Sequence, residues 1–453
     1  MVNILINVSR YMMIFLMLIY TFLCFNINAT RNRDKLNGKY VWQNVITMII
    51  YTTCSAIILY HNPDLNLLIF VVLEFIYLTL LVILYRLIYP ESSRLLVNNM
   101  AMLLALGFIM VERLKPASAF KQFVIVLTGT VISFLIPKIM CRRRFIIKLK
   151  WLYPVIGLML LAVTLILGRT SFGANLSIDI AGFSFQPSEF VKLIYVTFVA
   201  AILCKARNFR NVILSAVIAA VHVLILIASN DLGTALTFFV VYIVMLYIST
   251  GKPLYLIAGI ACGCIAAVLA YKLFSHVRVR INAWRDPWSI IDTGGYQITQ
   301  SLFAIGTGGW FGLGLYEGTP GKIPVAVKDF VFAAMSEEFG LIFALCVVLV
   351  CFSCFIVMMR IATRSRDVFY KLIAAGFGTL YIFQCFLTIG GVTKFIPSTG
   401  VTLPFVSYGG SSILCSLIMF AMVQAVFILV RENEDDDRND GETAEKIEEE
   451  QTE

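Results

Sequence analysis

The sequence predicts an all-α polytopic membrane protein with about 13 transmembrane helices, and three observations predict it. Of 453 residues, 60% are hydrophobic and only 14% charged, where soluble domains sit near half and a quarter; the mean hydropathy is +0.87. Apolar runs of bilayer-spanning length recur along the whole chain. The basic segments between them alternate. This composition excludes a soluble enzyme, a secreted disulfide scaffold and a mainly disordered protein.

A helix needs about 20 apolar residues to cross the hydrocarbon core. Such runs lie at roughly 8–29, 41–60, 65–85, 97–112, 120–140, 151–168, 187–204, 211–229, 232–249, 254–273, 330–359, 369–391 and 408–430. The first is read as a retained helix, because Met1–Arg10 carries one positive charge and no small-residue cleavage pattern follows. Cytoplasmic loops are enriched in Lys and Arg. The basic runs Arg31–Lys39, Arg86–Arg94, Lys138–Lys150, Lys205–Arg210, Lys252 and Arg360–Lys371 occupy every second gap. That alternation predicts a multi-pass protein with its N-terminus outside and its C-terminus cytoplasmic. From Arg431 onward the chain holds 12 acidic and 3 basic residues, against 15 and 33 before it, so a tail of charge −9 follows a body of +18. Without apolar periodicity, segment 431–453 is expected to be an acidic disordered cytoplasmic tail.

Several chemistries drop out on spacing. The eleven Cys lie almost wholly inside apolar runs, and Cys351-Phe-Ser-Cys354 falls mid-span, where thiols act as small apolar fillers. His61, His222 and His276 form no HExxH or Cys/His cluster, so no protein-built metal site is expected. Gly251-Lys252 is followed by Pro253 and Gly321-Lys322 by Ile323, which excludes a P-loop. The glycine run from Gly306 to Gly314 misses the dinucleotide spacing, and Ser188 lacks a Lys three residues on, which removes penicillin-binding acyl-enzyme chemistry. No nucleic-acid partner is expected.

What remains clusters outside. Ionisable groups in or beside spans are costly and mark function until a partner is found. Gln186-Pro187-Ser188-Glu189 precedes Lys192, and Glu189 and Lys192 share one helix face. A structural ion pair and a substrate contact are equally open there. Asp231 opens a span as a candidate N-cap. Glu337 and Glu338 are adjacent, so one must face away from whatever the other faces; one is expected to bond a neighbouring helix, and the other is left unassigned. The long outward loop 274–328 carries Arg278, Arg280, Arg285, Trp284, Trp288 and Gln300. Arginine forks recognise phosphate oxygens, whereas the Trp also suit interfacial anchoring. Asp329 stands at the outer mouth of a span, either as another N-cap or as a general base accepting a proton from a sugar hydroxyl. Segment 397–412, with two prolines, several glycines and Ser407 among its hydroxyls, carries no charge. Irregular backbone at membrane depth is tolerated only where protein or a water-filled cavity covers it, so this reads as a re-entrant loop lining a polar cavity.

In this order, Phe185–Glu189, Asp231–Thr234, Asp286-Pro287, Gly295–Ser301, the glycine run from Gly306, Asp329–Phe332 with Glu337–Gly340, and Thr402–Ser412 resemble the SEDS family of shape, elongation, division and sporulation proteins (FtsW, RodA, SpoVE). The resemblance implies a ten-helix core at 97–430, leaving 1–96 as an extension of three helices without a counterpart. It implies a peptidoglycan glycosyltransferase in the bacterial cytoplasmic membrane, polymerising lipid II beside a class B penicillin-binding transpeptidase. Asp329 falls on the family's essential aspartate. It would deprotonate the acceptor's 4-hydroxyl as that oxygen attacks the donor's anomeric carbon, inverting it and expelling undecaprenyl pyrophosphate. Glu189, Lys192, Arg278, Arg280, Gln300 and Ser407 are the candidate substrate contacts. Charge on the pyrophosphate falls to Arg278, Arg280 or a divalent cation (Mg or Mn); no motif binds a cofactor. Two departures stand out: Ile323-Pro324-Val325 replaces a Leu-Pro-Glu common in division-type members, and Thr399 stands where they often carry Lys. A lipid II flippase and a non-catalytic scaffold for a transpeptidase are the competing functions.

Overall fold

In hydrocarbon every backbone N–H and C=O must be satisfied within its own segment, so each apolar run becomes a helix. The computed structural model describes residues 2–27, 30, 32–171, 174–180, 183–205 and 209–452. In chain order the helices are α1 (Val2–Asn26), α2 (Arg33–His61), α3 (Leu65–Ile88), α4 (Arg94–Leu114), α5 (Pro116–Met140), α6 (Arg143–Lys148), α7 (Leu152–Leu167), α8 (Pro187–Leu203), α9 (Phe209–Ala228), α10 (Leu232–Thr250) and α11 (Pro253–Leu273). There follow α12 (Ser275–Arg285), α13 (Tyr296–Gly308), α14 (Val331–Phe339), α15 (Leu341–Arg364), α16 (Val368–Val392) and α17 (Gly410–Thr452).

Among the described residues, twelve helical stretches are long and apolar enough to cross a membrane, with α6 and α7 forming one of them. The expected run at 187–204 is α8, only 17 residues long and buried over almost its whole length, as α4 is. Being covered by protein on every side, α8 need not match the bilayer thickness. The expected run at 330–359 is broken at Gly340 into the short, wholly buried α14 and the spanning α15. Gly340 takes a φ of +88°, and a Cβ there would lie 2.3 Å from the backbone N of Gly312. Only glycine permits both the turn and the approach. Between α7 and α8, where spans alone were expected, lies a small antiparallel sheet: β1 (Arg169–Ser171), β2 (Ala174–Ile180) and β3 (Phe183–Phe185), with Ile178 paired to Phe185. At the C-terminal side α17 runs on through the acidic segment to Thr452. A spanning helix has already met the nucleation cost, and Glu, Lys and Ala extend it readily.

Polar groups inside the bundle are paired across helices. Asn99 Oδ1 accepts from Tyr20 Oη (3.1 Å) and Cys24 Sγ (3.2 Å), while its Nδ2 donates to Ser353 Oγ (3.3 Å). Asn98 Nδ2 donates to Gln43 Oε1 at 3.1 Å. This network locks α1 and α2 onto α4 and α15. Tyr51 Oη donates to Glu74 Oε2 at 2.8 Å, which gives that intramembrane carboxyl its partner. At one end of the bundle, contacts from Arg94 to Asn37 (2.7 Å) and from Arg143 to Asp367 (2.7 Å) gather the basic segments. The start of α1 lies at the other end, with Asp329, because Arg10 reaches the carbonyls of Gly312 and Leu313.

Candidate functional site

The 397–412 segment descends between helices before α17 begins. Phe405, at φ +66°, presses its carbonyl against α4, where a Cβ on Gly107 would lie 2.3 Å away. Val401 and Leu403–Ser407 are buried. Their backbone is held from the bundle side: Gln384 Nε2 donates to the Thr402 carbonyl (3.0 Å) and Thr388 Oγ1 to that of Val401 (2.9 Å). Thr402 Oγ1 pairs with Ser412 Oγ (2.8 Å), and the Gln186 amide donates to Ser411 Oγ (3.0 Å). Irregular backbone here is thus covered by protein on the bundle side.

Glu189 and Lys192 lie directly behind this loop. They form a buried ion pair at 2.6 Å, and Lys192 also donates to Gln384 Oε1 at 3.4 Å. The geometry gives the pair a strut's role, transmitting through Gln384 to Thr402. Ser407 is likewise committed to backbone: its hydroxyl donates to the Lys328 carbonyl and accepts from the Leu403 amide at 2.9 Å. With the Tyr408 amide donating to the Val327 carbonyl (2.8 Å), Ser407 straps the segment that carries Asp329 to the re-entrant loop.

Asp329 precedes α14, yet it does not cap it. The cap position is Phe330, with no side-chain bond, and among the described residues the Asp329 carboxylate has no hydrogen-bond partner. It stands half-buried beside Gly400, whose Cβ position lies 3.7 Å from Asp329 Oδ2. Burial pushes this carboxyl above its ordinary range, while the charges of Lys328 and Arg280 pull it down. Arg280 is half-buried on α12, its Nη1 donating to the Ser398 carbonyl at 3.2 Å. Burial lowers its pKa, against the charges of Asp231 and Asp329. One turn along the same face, Trp284 Nε1 donates to the Lys394 carbonyl at 3.1 Å, so α12 is pinned across residues 394–398. Trp288 is exposed and packs edge-on against Phe303.

Asp231 is the N-cap of α10: its Oδ1 accepts from the Thr234 amide at 3.1 Å, and its buried Oδ2 has no hydrogen-bond partner among the described residues. A Cβ at Gly233 would lie 2.6 Å from Val401 Cγ2, so this helix start abuts the re-entrant loop. The site therefore gathers Asp329, Arg280, Asp231 and the 398–402 backbone. Arg278 is exposed on α12 outside these contacts, and Gln300 is half-buried on α13.

Glu338 bonds a neighbouring helix, as expected of one of the adjacent pair, and Glu337 turns to the same loop as its neighbour. Glu338 Oε1 takes Arg113 of α4 (2.8 Å) and the Tyr316 amide (3.2 Å); Glu337 Oε1 takes the Thr319 amide (2.9 Å). Both serve the loop 309–319 because that loop wraps the C-terminal end of the nine-residue α14. The glycine run owes its composition to the same packing: a Cβ on Gly312, at φ +73°, would lie 2.4 Å from the Glu338 carbonyl oxygen. Arg113 and Gln384 were missed by sequence reasoning. Gln384 could have been found as a lone amide inside an apolar run; Arg113 sits at a helix end, where snorkelling is the ordinary explanation.

A family model described as "Cell cycle protein" (FtsW, RodA, SpoVE) matches residues 93–431. The chain is 35% identical over 364 residues to the peptidoglycan glycosyltransferase RodA of Mycobacterium leprae (strain TN), covering 74% of this chain and 78% of the relative. It is 35% identical over 286 residues to the probable peptidoglycan glycosyltransferase FtsW of Geobacter sp. (strain M18), covering 59% and 76%. Among solved structures, one titled "Structural coordination of polymerization and crosslinking by a peptidoglycan synthase complex" superposes at TM-score 0.65 and 25% identity, over 74% of this chain and 97% of the matched chain. The rod shape determining protein RodA of Thermus thermophilus gives 0.57 at 24% identity, over 74% and 96%, a likeness of fold alone.

Proposed function

The chain belongs to the cell cycle protein family of FtsW, RodA and SpoVE, and on that premise we propose that Asp329 is the general base with which it polymerises lipid II. Its relatives carry the name peptidoglycan glycosyltransferase, and that is its activity, exercised from a multi-pass membrane fold. The observation that carries the assignment is that Asp329, placed at a helix start, is spared the capping bond, and neither of its oxygens has a hydrogen-bond partner among the described residues.

The acceptor's sugar hydroxyl gives its proton to Asp329 as its oxygen attacks the donor's anomeric carbon, and the pyrophosphate-linked lipid leaves with the bonding electrons. One new glycosidic bond forms and one sugar–phosphate bond breaks, with inversion. A base works best with a pKa near the operating pH, and burial moves Asp329 in that direction. The leaving group is already activated, so the remaining tasks are alignment and charge neutralisation. Arg280, held beside Asp329, and Arg278 on the exposed side of the same helix take the second task. Among the described residues no three His, Cys, Asp or Glu side chains gather to hold a metal ion. A divalent cation, Mg or Mn, bound with the substrate pyrophosphate would supply further positive charge there, and each step is derived for this chain's own residues. Glu189 and Lys192 support the loop from behind, and Ser407 fixes the base's backbone. The basic segments lie at the end opposite Asp329, which supports placing the reaction on the outer face of the cytoplasmic membrane, the N-terminus outside and the C-terminus cytoplasmic. The similarity to a chain from a peptidoglycan synthase complex supports a class B transpeptidase as partner.

The test is polymerisation of lipid II by the wild type and Asp329→Asn, with the partner present and folding checked in detergent. Equal activity in both proteins overturns the assignment.

A further inference from the structure

Helices α1–α3 precede residue 93 and lie outside the family match. At the outward end two of them grip the loop that wraps α14. Arg10 of α1 donates through Nη1 to the carbonyls of Gly312 (2.8 Å) and Leu313 (3.4 Å). The end of α2 holds Tyr316: Asn62 Nδ2 donates to its hydroxyl at 2.8 Å, and the His61 ring stacks on it at 4.2 Å and 8°. Arg113 lies over the same ring at 4.0 Å, which leaves one face to each. Tyr316 has φ +72°, a conformation a bulky residue adopts only when its surroundings impose it.

The gripped loop is in turn bonded to α14. The amides of Leu313 and Gly314 donate to the carbonyls of Glu337 (3.0 Å) and Glu338 (2.9 Å), and the Tyr316 amide donates to the Glu338 carboxylate. At its other end α14 begins two residues after Asp329, where Ser407 and Tyr408 strap the chain. A helix of nine residues moves as a rigid rod, so fixing its far end fixes the direction in which Asp329 is presented.

We propose that the N-terminal extension is a built-in clamp on this rod, with Arg10, His61 and Asn62 as positioning residues that act through Gly312, Leu313 and Tyr316 on the alignment of Asp329. The inference rests on the assignment of Asp329 as base. It predicts that loosening the clamp lowers turnover without weakening substrate binding, because Arg280 and the 398–402 backbone are anchored independently of α1 and α2.

The experiment uses the full chain with its partner and lipid II as probe, comparing the wild type with Arg10→Ala, Asn62→Ala, Arg10→Lys, and Trp42→Ala as an exposed control on α2. Arg10→Ala and Asn62→Ala should lower kcat about tenfold, inside the roughly hundredfold that an ångström of misplacement costs, with KM unchanged. Arg10→Lys, which keeps a cationic donor, should recover most of the loss, and Trp42→Ala should match the wild type. Amide hydrogen exchange at Leu313 and Gly314 should quicken in both alanine variants, a readout that needs no activity. Should Arg10→Ala fail to fold, Asn62→Ala, which removes one hydrogen bond at the bundle's rim, decides. With wild type active and Asp329→Asn inactive, an unchanged kcat in the folded variants overturns the clamp and leaves the base assignment standing; unchanged exchange at Leu313 and Gly314 overturns it alone.

Discussion

Asp231 and Asp329 occupy similar places in the sequence, each a lone carboxylate just before an apolar run, and the structure treats them oppositely. Asp231 commits one oxygen to its helix, capping α10 through the Thr234 amide, while its buried second oxygen has no hydrogen-bond partner among the described residues. Asp329 is displaced by one residue from the cap of α14, which leaves its oxygens available. The difference lies in the backbone: α10 starts directly at Leu232, whereas Lys328 and Val327 are pulled aside by Ser407 and Tyr408, so that Phe330 takes the cap position. A carboxylate's chemistry is set here by which hydrogen bonds the fold withholds from it.

Neutralising each aspartate in turn separates their roles. Asp329→Asn should lower lipid II polymerisation by about a hundredfold to ten-thousandfold, the range for removing a general base, with unfolding temperature unchanged. Asp231→Asn retains a capping oxygen and should keep most activity. If Asp231→Asn proves as inactive as Asp329→Asn, the two carboxylates form one catalytic unit and the contrast fails.

Stability should reverse the order. Asp231→Ala removes a cap and should cost about 1 kcal/mol, which Asp231→Ser should largely restore. Asp329→Ala should cost less, since no cap is lost. Chemical denaturation in detergent, followed by intrinsic fluorescence, measures both.

How far the contrast was legible in the sequence depends on the distance over which its causes act. Spans, the re-entrant loop and the candidate base follow from local composition. The break at Gly340 does not, because a glycine inside an apolar run is unremarkable until Gly312 approaches it from a distant loop. For the same reason Glu337 and Glu338 could not be assigned to one loop, and the role of Ser407 as a backbone strap stayed hidden behind its hydroxyl. The sheet between α7 and α8 was legible in the alternation of Ser177-Ile178-Asp179-Ile180, a period the search for spans passes over.

Strain offers a finer test of why the chain leaves its cap at Asp329. Val325, four residues ahead, has φ +59°, where a β-branched residue is a genuine outlier. Val325→Gly relieves that strain and should stabilise the protein by about 1 kcal/mol, net of the entropy glycine adds to the unfolded chain. If stability falls instead, the strap from Ser407 and Tyr408 is not what holds the turn.

Lys328 acts on Asp329 through its charge alone. Lys328 is exposed and is the larger of the two charges that pull the Asp329 carboxyl down against burial, Arg280 being the other. In the role proposed for it Asp329 must be ionised to act, so polymerisation should rise with pH through the carboxyl's own titration. Lys328→Gln removes a positive neighbour, leaves the carboxyl protonated to a higher pH, and should therefore move the acidic limb of the profile upward while the plateau at higher pH stays where it was. Because the side chain is exposed, stability should hold. The same substitution should leave unfolding of the α10 end untouched, since the Asp231 cap is a hydrogen bond rather than a field effect. A limb that moves downward, or a plateau that falls as the limb stays fixed, would mean that Lys328 meets the substrate and that Asp329 titrates without its influence.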